Sequence, residues 1–286
     1  MVSPPLMHES VHDAPTAVVF PGQGSHADGM EDEVRDRADF AEALERLGFD
    51  PFTRLDGGTR FQQPAVFICS VCDWRRSGPQ DPVAAAGHSL GEYSALVAAG
   101  SLSLADGAEL VAERGAAMAA AGERDAGGMV ALLGGDADAV LELAGELELT
   151  LANDNAPGQM VLSGADRAID TAVETARERT GAKARRLDVS GAFHSPLMEP
   201  AAERLAAALE RVEFSAPRFP VVSCATAAPF EDPASELAEN LLRPVRWQET
   251  VRALRELGAE EFYEPAPGRV LTATIKRILP RERSQA

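Results

Sequence analysis

The chain is short of positive charge. Lysine and arginine total 27 against 45 aspartates and glutamates, a net charge of −18. That balance excludes nucleic acid and anionic membrane surfaces as main partners, because both call for a cationic face. Cysteine is scarce as well, with Cys69, Cys72 and Cys224 the whole complement. A small odd number excludes a disulfide framework and fits a reducing compartment. Cys69-x-x-Cys72 has the spacing of half a zinc or redox site, but no second pair completes it. Residues 65–74 read as a helix with both thiols on one packed face, so we expect no metal and no bound cofactor. No apolar run reaches the ~20 residues of a membrane span. Residues 1–15 hold neither a basic n-region nor an apolar h-region and are expected to form a loose tail, not a signal peptide. Internal repeats and low-complexity tracts are missing too. The expectation is a cytoplasmic monomer.

What is present is ordinary globular material. The 286 residues are 45% hydrophobic and 25% charged, enough for one large or two smaller domains. The most informative stretch is Gly87-His88-Ser89-Leu90-Gly91. Residues 83–86 before it read as a buried strand, and 92–99 after it as a helix. A Gly-x-Ser-x-Gly at a strand-to-helix turn is a nucleophile elbow. The glycines are needed where a Cβ would clash in so sharp a turn. Ser89 is then presented at the tip. The Leu90 N–H lies at the helix start, where free donors and the helix dipole favour an oxyanion.

Upstream, residues 16–20 (TAVVF) form a compact apolar strand that runs into Pro21-Gly22-Gln23-Gly24-Ser25-His26. Its glycines suit either a plain turn or a loop presenting the Gln23 N–H to a reacting oxygen. Residues 31–47 read as an acidic amphipathic helix. A long helical stretch follows over 104–121, with Arg114 among small apolar residues. An unpaired buried charge is expensive. Arg114 is therefore a snorkelling side chain, a partner of Glu113 or a core carboxylate, or an anion receptor, and spacing alone does not choose.

From Gly127 the order is strand 129–133, helix 136–147, strand 149–153, strand 159–163, helix 165–180 and strand 183–189. That is βαββαβ, the ferredoxin-like split unit. We place this small subdomain at 128–191, inserted into an α/β core of 16–127 and 192–286. Ser195 and Pro196 then read as an N-cap and first residue of a helix running through Leu209. Strand 219–223, helices 234–242 and 249–257, strand 261–264 and helix 270–279 complete the core.

A serine hydroxyl needs a base. His8 and His12 fall in the tail, and His88 inside the elbow should point away from Ser89. His26 is possible. His194, at a helix start beside a hinge, is the best of the five. No third acid is obvious: Asp188 is near in sequence, but a backbone carbonyl could hold the imidazole N–H equally well.

Taken together, these motifs resemble malonyl-CoA:acyl carrier protein transacylases and the acyltransferase domains of polyketide synthases. The resemblance runs from Phe20-Pro21-Gly22-Gln23-Gly24-Ser25 to Gly268-Arg269-Val270-Leu271-Thr272. It passes through Gln63-Pro64-Ala65, the elbow with Glu92-Tyr93-Ser94-Ala95, Glu113-Arg114-Gly115, Asn155-Ala156-Pro157-Gly158-Gln159, Gly191-Ala192-Phe193-His194-Ser195 and Pro244-Val245-Arg246-Trp247. It implies an α/β-hydrolase-like core with an inserted ferredoxin-like subdomain. It implies Ser89 as nucleophile, His194 as base, Arg114 as clamp for a malonyl carboxylate, and Gln23 and Leu90 as backbone oxyanion donors. It places the carbonyl that steadies His194 near Arg246, and Asn155 on a loop facing the site. Phe193 resembles the malonyl-selective polyketide type, a ring that would crowd an α-methyl branch.

The reaction implied is ping-pong transfer of malonyl from malonyl-CoA to the phosphopantetheine thiol of an acyl carrier protein, for polyketide or fatty acid synthesis. The alternatives are a serine hydrolase clearing carrier proteins, a transferase for another acyl-CoA, or a non-catalytic docking module. Arg114 argues against the hydrolase, and an intact Ser89, His194 and Arg114 against the module. An acidic carrier would need a local basic patch, for which Lys183, Arg185, Arg186, Arg269, Lys276 and Arg277 are candidates.

Overall fold

The structure is a computed structural model and describes residues 14–280. His8, His12 and nearly all of the expected tail therefore lie outside the described residues. In chain order the elements are β1 (Thr16–Phe20), α1 (Ala38–Leu47), α2 (Thr59–Ser77), β2 (Ala84–Gly87), α3 (Gly91–Ala98), α4 (Leu104–Arg124), β3 (Gly127–Leu133), α5 (Ala137–Glu146), β4 (Thr150–Ala156), β5 (Gln159–Ala165), α6 (Asp166–Thr180), β6 (Lys183–Arg186), α7 (Glu199–Leu209), β7 (Val221–Val222), α8 (Pro233–Glu239), α9 (Trp247–Glu256), β8 (Glu261–Tyr263) and α10 (Val270–Ile278). The fold is mixed α/β, with one parallel and one antiparallel sheet.

The parallel sheet has the order β7-β2-β1-β8. Strand β1 is buried along its whole length, as expected of a central strand covered by helices on both faces. Its residues alternate between two cores. Val18 and Phe20 pack with Phe67, Leu96 and Val111 from α2, α3 and α4. Ala17 and Val19 pack on the other face with Trp247 and Val251 of α9 and Leu271 and Ile275 of α10. This is the period-two alternation of a strand serving two layers. The small side chains of β2, Ala84-Ala85-Ala86, let both layers approach closely.

The antiparallel sheet has the order β4-β5-β3-β6. One face carries Val130, Leu132 and Leu162 against Val140 and Leu143 of α5 and Ile169 and Ala172 of α6. The opposite face, with Met129 and Val161, packs toward the larger core. Asn153 of β4 bridges to Val245 in parallel fashion, which ties this sheet to the segment entering α9.

Several boundaries depart from the pattern read in the sequence: β4 runs on through Asn155 to Ala156 where a turn is expected, the strand expected over 219–223 shrinks to Val221–Val222, and three further elements change more. The helix expected from Glu31 begins only at Ala38. Residues 31–37 are six charges around one buried valine, Val34, and they settle into successive turns instead. Ser195 does cap, but it caps a 3-10 turn, Pro196–Met198, and α7 starts afresh at Glu199. Pro200 has no N–H to give the Pro196 carbonyl, so one continuous α-helix would lack that bond. The strand expected over 183–189 pairs through Arg186, with one further bond from the Leu187 N–H to the Met129 carbonyl, and residues 187–189 line the cavity described below.

Candidate active site

Strands β1 and β2 are parallel neighbours, with Phe20 opposite Gly87. Their carboxyl ends therefore release two loops side by side, where open α/β sheets place ligands. One loop carries Gln23 and the other Ser89. The elbow is sharp: Ser89 has φ +54°, a left-handed conformation that costs a non-glycine residue energy. A Cβ on Gly87 would lie 1.8 Å from the Gly91 carbonyl carbon, and one on Gly91 would lie 2.2 Å from the Phe20 oxygen. Both glycines are thus fixed by close backbone approach.

Residues 89 and 194 lie 105 apart in sequence, yet Ser89 Oγ and His194 Nε2 are 2.9 Å apart. On the far side of the ring, Nδ1 lies 2.9 Å from the Arg243 carbonyl and 3.0 Å from the Asn240 carbonyl. Two acceptors there keep the proton on Nδ1 and leave the Nε2 lone pair facing the serine hydroxyl. The carbonyl that the resemblance placed near Arg246 is therefore supplied by Asn240 and Arg243. Arg246 starts α9, and its N–H donates to the Cys224 carbonyl. Asp188 lines the cavity but is not bonded to His194, and His26 lines it without bonding Ser89. Burial pushes His194 down to about 4, and the nearby Arg114 charge adds to the shift. At neutral pH the imidazole is neutral and able to accept a proton.

Arg114 is buried on α4 and does not reach solvent. Its Nη1 donates to Gln63 Oε1 at 2.7 Å and its Nη2 to Ser89 Oγ at 2.8 Å. Glu113, the neighbour that could have neutralised it, pairs outward with Arg204. Among the described residues Arg114 has no carboxylate partner, only Gln63, Ser89 and the Tyr93 ring 5.8 Å away. Burial pushes its guanidinium below the usual range. The Glu92 charge offsets this in part without touching the guanidinium. A fixed, buried cation beside a hydroxyl, with no carboxylate bonded to it, is a receptor for one.

Gln23 is positioned by its side chain. Nε2 donates to Thr59 Oγ1 at 2.8 Å, and Oε1 accepts from Gln63 Nε2 at 3.1 Å. Gln63, whose side chain is fully buried, thus joins Gln23 to Arg114. Neither the Gln23 nor the Leu90 backbone N–H enters a backbone hydrogen bond among the described residues. Gly22 backs directly onto the elbow, since a Cβ there would lie 2.5 Å from the His88 oxygen. The His88 ring turns to the small sheet, with Nε2 2.8 Å from Asn155 Oδ1. A cavity of about 340 Å³ opens over Ser89 and His194, with Met118, Met129, Val161 and Phe193 among its apolar walls. Six of the seven site residues singled out in the sequence line this cavity, and the seventh, Leu90, is buried next to Ser89 at the start of α3.

Sequence reasoning missed Gln63 as a partner of Arg114, and the Asn240 and Arg243 carbonyls. Gln63 had a signal, a polar residue opening an otherwise apolar buried helix. The carbonyls had none, because any residue type supplies one. Cys69 and Cys72 are buried in α2, where burial pushes both thiols well up and makes them inert. Among the described residues no three His, Cys, Asp or Glu side chains converge as a metal site, and no helix is long and apolar enough to cross a membrane. Of the candidate docking cations, Arg186 is taken by Asp166 and Asp170, and Arg277 by Gln159 and the Pro157 carbonyl.

Fold and site define a class: the chain belongs to the acyl transferase domain family, whose sequence profile matches residues 52–285. Within it several relatives are malonyl CoA-acyl carrier protein transacylases. The malonyl CoA-acyl carrier protein transacylase of Salmonella typhimurium (strain LT2) is 39% identical over 288 residues, covering 92% of each chain. The crystal structure of MCAT from Streptococcus pneumoniae superposes with a TM-score of 0.85 at 38% identity, over 92% of each chain. A malonyl-transacylase solved in complex with its type II PKS acyl-carrier protein superposes at 0.86 with 36% identity, over 93% of each chain.

Proposed function

We propose that this chain is a malonyl-CoA:acyl carrier protein S-malonyltransferase working through an acyl-serine intermediate. The observation that carries the proposal is the Arg114 guanidinium, buried without a carboxylate partner and 2.8 Å from Ser89 Oγ. A thioester carrying a carboxylate one carbon beyond its carbonyl would bring that anion within reach of the guanidinium. The relatives named above act on the same acyl group, and one is seen with an acyl-carrier protein.

His194 Nε2 takes the Ser89 proton as Oγ attacks the thioester carbonyl carbon. The resulting oxyanion is held by the Gln23 and Leu90 N–H groups. The C–S bond breaks, CoA leaves as the thiol with the proton from His194, and malonyl remains on Ser89. The thiol of the carrier's phosphopantetheine then gives its proton to His194 and attacks the ester carbonyl, and Oγ leaves and is reprotonated. This route uses only groups of the chain and its two substrates. Phe193 on the cavity wall supports preference for an unbranched malonyl group, and Asn155, through His88, supports the elbow from the small sheet.

The strand orders support an α/β-hydrolase-like core, at 16–127 and 192–286, carrying a ferredoxin-like insert at 128–191. The net charge of −18 supports a protein that does not engage nucleic acid. The test is the intact mass of the protein after mixing with malonyl-CoA or acetyl-CoA. A malonyl adduct on the wild type, absent from Ser89→Ala and much weaker with acetyl-CoA, is expected. Equal labelling by both thioesters would remove the role given to Arg114.

A further inference from the structure

His194 has no carboxylate against its ring, yet a carboxylate stands one hydrogen bond further back. Glu92 lies in the first turn of α3, three residues after Ser89, and is 2% exposed. Its Oε1 accepts the Cys224 N–H at 2.8 Å. Its two oxygens accept from Asn240 Nδ2 at 3.2 and 3.1 Å. Asn240 is itself 4% exposed, and its backbone carbonyl is one of the two that hold His194 Nδ1. Ser223 Oγ, 3.1 Å away, is the other group on that amide nitrogen. Asn240 Oδ1 has no partner among the described residues. The orientation of this side chain is therefore set by Glu92 and Ser223 alone.

Among the described residues Glu92 makes no direct ion pair; burial pushes its carboxyl up, and its hydrogen bonds and the more distant Arg114 charge only partly offset this. Stabilising a helix start does not require such a group, because an exposed acid serves equally well there. A buried carboxylate bonded to neutral groups is costly unless its geometry is needed. Its position connects two things that must stay in register. One is the helix that begins at the nucleophile. The other is the segment after α8 that presents carbonyls to the base.

We propose that Glu92 is the positioning residue of the Ser89–His194 pair, acting through the Asn240 amide to hold the carbonyl that orients the imidazole. The inference rests on Ser89 and His194 having the roles given above. Glu92 does not touch the acyl group or the reacting atoms. Its effect is on how often Nε2 points at Oγ in line for proton transfer.

The experiment is a cycle of Glu92→Gln, Asn240→Ala and the double variant. Glu92→Gln keeps size but sets an amide N–H₂ against the Asn240 N–H₂. Asn240→Ala keeps the backbone carbonyl and releases its anchor. Single-turnover acylation by malonyl-CoA, the malonyl-CoA Kd measured on a Ser89→Ala background, and a thermal melt are recorded for each. The expected result is an acylation rate lower by roughly 10- to 100-fold in each single variant, the loss that small misplacement brings. The Kd should stay within about twofold in Asn240→Ala, which leaves every charge around Arg114 in place, and the double variant should be no slower than the slower single one. A merely structural role would lower the melting temperature without this split. If Glu92→Gln does not fold, Asn240→Ala alone decides. Acylation within about twofold of wild type in a folded single variant, or losses that multiply in the double, overturns the inference. A wild type that gains no malonyl at Ser89 overturns instead the functional reading beneath it.

Discussion

Replacing Arg114 by methionine tests how much of the selectivity rests on one charge. In the free protein its guanidinium has only neutral partners, Gln63 Oε1 at 2.7 Å and Ser89 Oγ at 2.8 Å. A malonyl carboxylate offers two charged hydrogen bonds, at about 1.5–3 kcal/mol each, against loss of the serine contact at about 1.5 kcal/mol. The net is about 1.5–4.5 kcal/mol. A point-charge estimate at 4 Å and an effective dielectric near 20 gives about 4 kcal/mol, inside that range. At about 1.4 kcal/mol per factor of ten, Arg114→Met should lose roughly 10- to 2,000-fold in kcat/KM for malonyl-CoA. Acetyl-CoA offers no anion, and methionine removes an unpaired buried charge, so acylation by acetyl-CoA should hold or rise. The assay is acylation of Ser89 by each thioester, followed by quenched mass spectrometry. An equal fall for both thioesters would refute the reasoning, because it would make Arg114 a support for Ser89 and not a receptor.

Further outcomes follow from the same geometry. His194 is held down at about 4, so acylation should be flat from pH 8 to pH 5 and fall only near pH 4. In Arg114→Met the midpoint should move up toward the ordinary ~6.5. The linkage has the matching sign: a folded-state pKa below the unfolded value gives a stability contribution present above pH ~6.5 and lost as pH falls toward 4. A chemical-denaturation series across pH 4–7 measures this, and stability rising on acidification there would contradict it. Gly91→Ala puts a Cβ 2.2 Å from the Phe20 oxygen and should cost about 3 kcal/mol or more. Gly145→Ala, on α5 with nothing within 4 Å of the added Cβ, should gain about 0.5–1 kcal/mol. Thermal melts that fail to separate these two would sink the close-approach argument. Phe193→Ser removes a ring from the cavity wall and should raise methylmalonyl-CoA acylation relative to malonyl-CoA, whereas an unchanged ratio would clear Phe193 of that role.

What the sequence made legible is what is local. Gly87-His88-Ser89-Leu90-Gly91 carries its turn in five residues, and φ +54° at Ser89 is the strain the glycines permit. The βαββαβ order from Gly127 is readable because most of its elements keep a hydrophobic period, although the Lys-Ala-Arg-Arg of β6 does not. The pairing of Ser89 with His194 was reachable only by elimination, since it joins residues 105 apart. Arg114 was undecidable from spacing. Its meaning depends on Glu113 turning outward to Arg204, a choice that tertiary packing makes. The resemblance puts one steadying carbonyl near Arg246, and the structure supplies two, from Arg243 and Asn240; the residues themselves carry no sign of either, because a backbone acceptor leaves no trace in residue type. Glu92 reads in the sequence only as the start of a helix, although a carboxylate in an otherwise uncharged eight-residue segment is the one available hint.

The most direct test of the central claim is transfer from the acylated protein. Enzyme loaded with malonyl on Ser89 is freed of CoA and mixed with a phosphopantetheine-bearing acyl carrier protein, and both masses are followed in time. The account predicts that malonyl leaves Ser89 and appears on the carrier one for one, with little free malonate. Loss of the adduct to free malonate at the same rate with and without carrier would contradict it and make the chain a hydrolase.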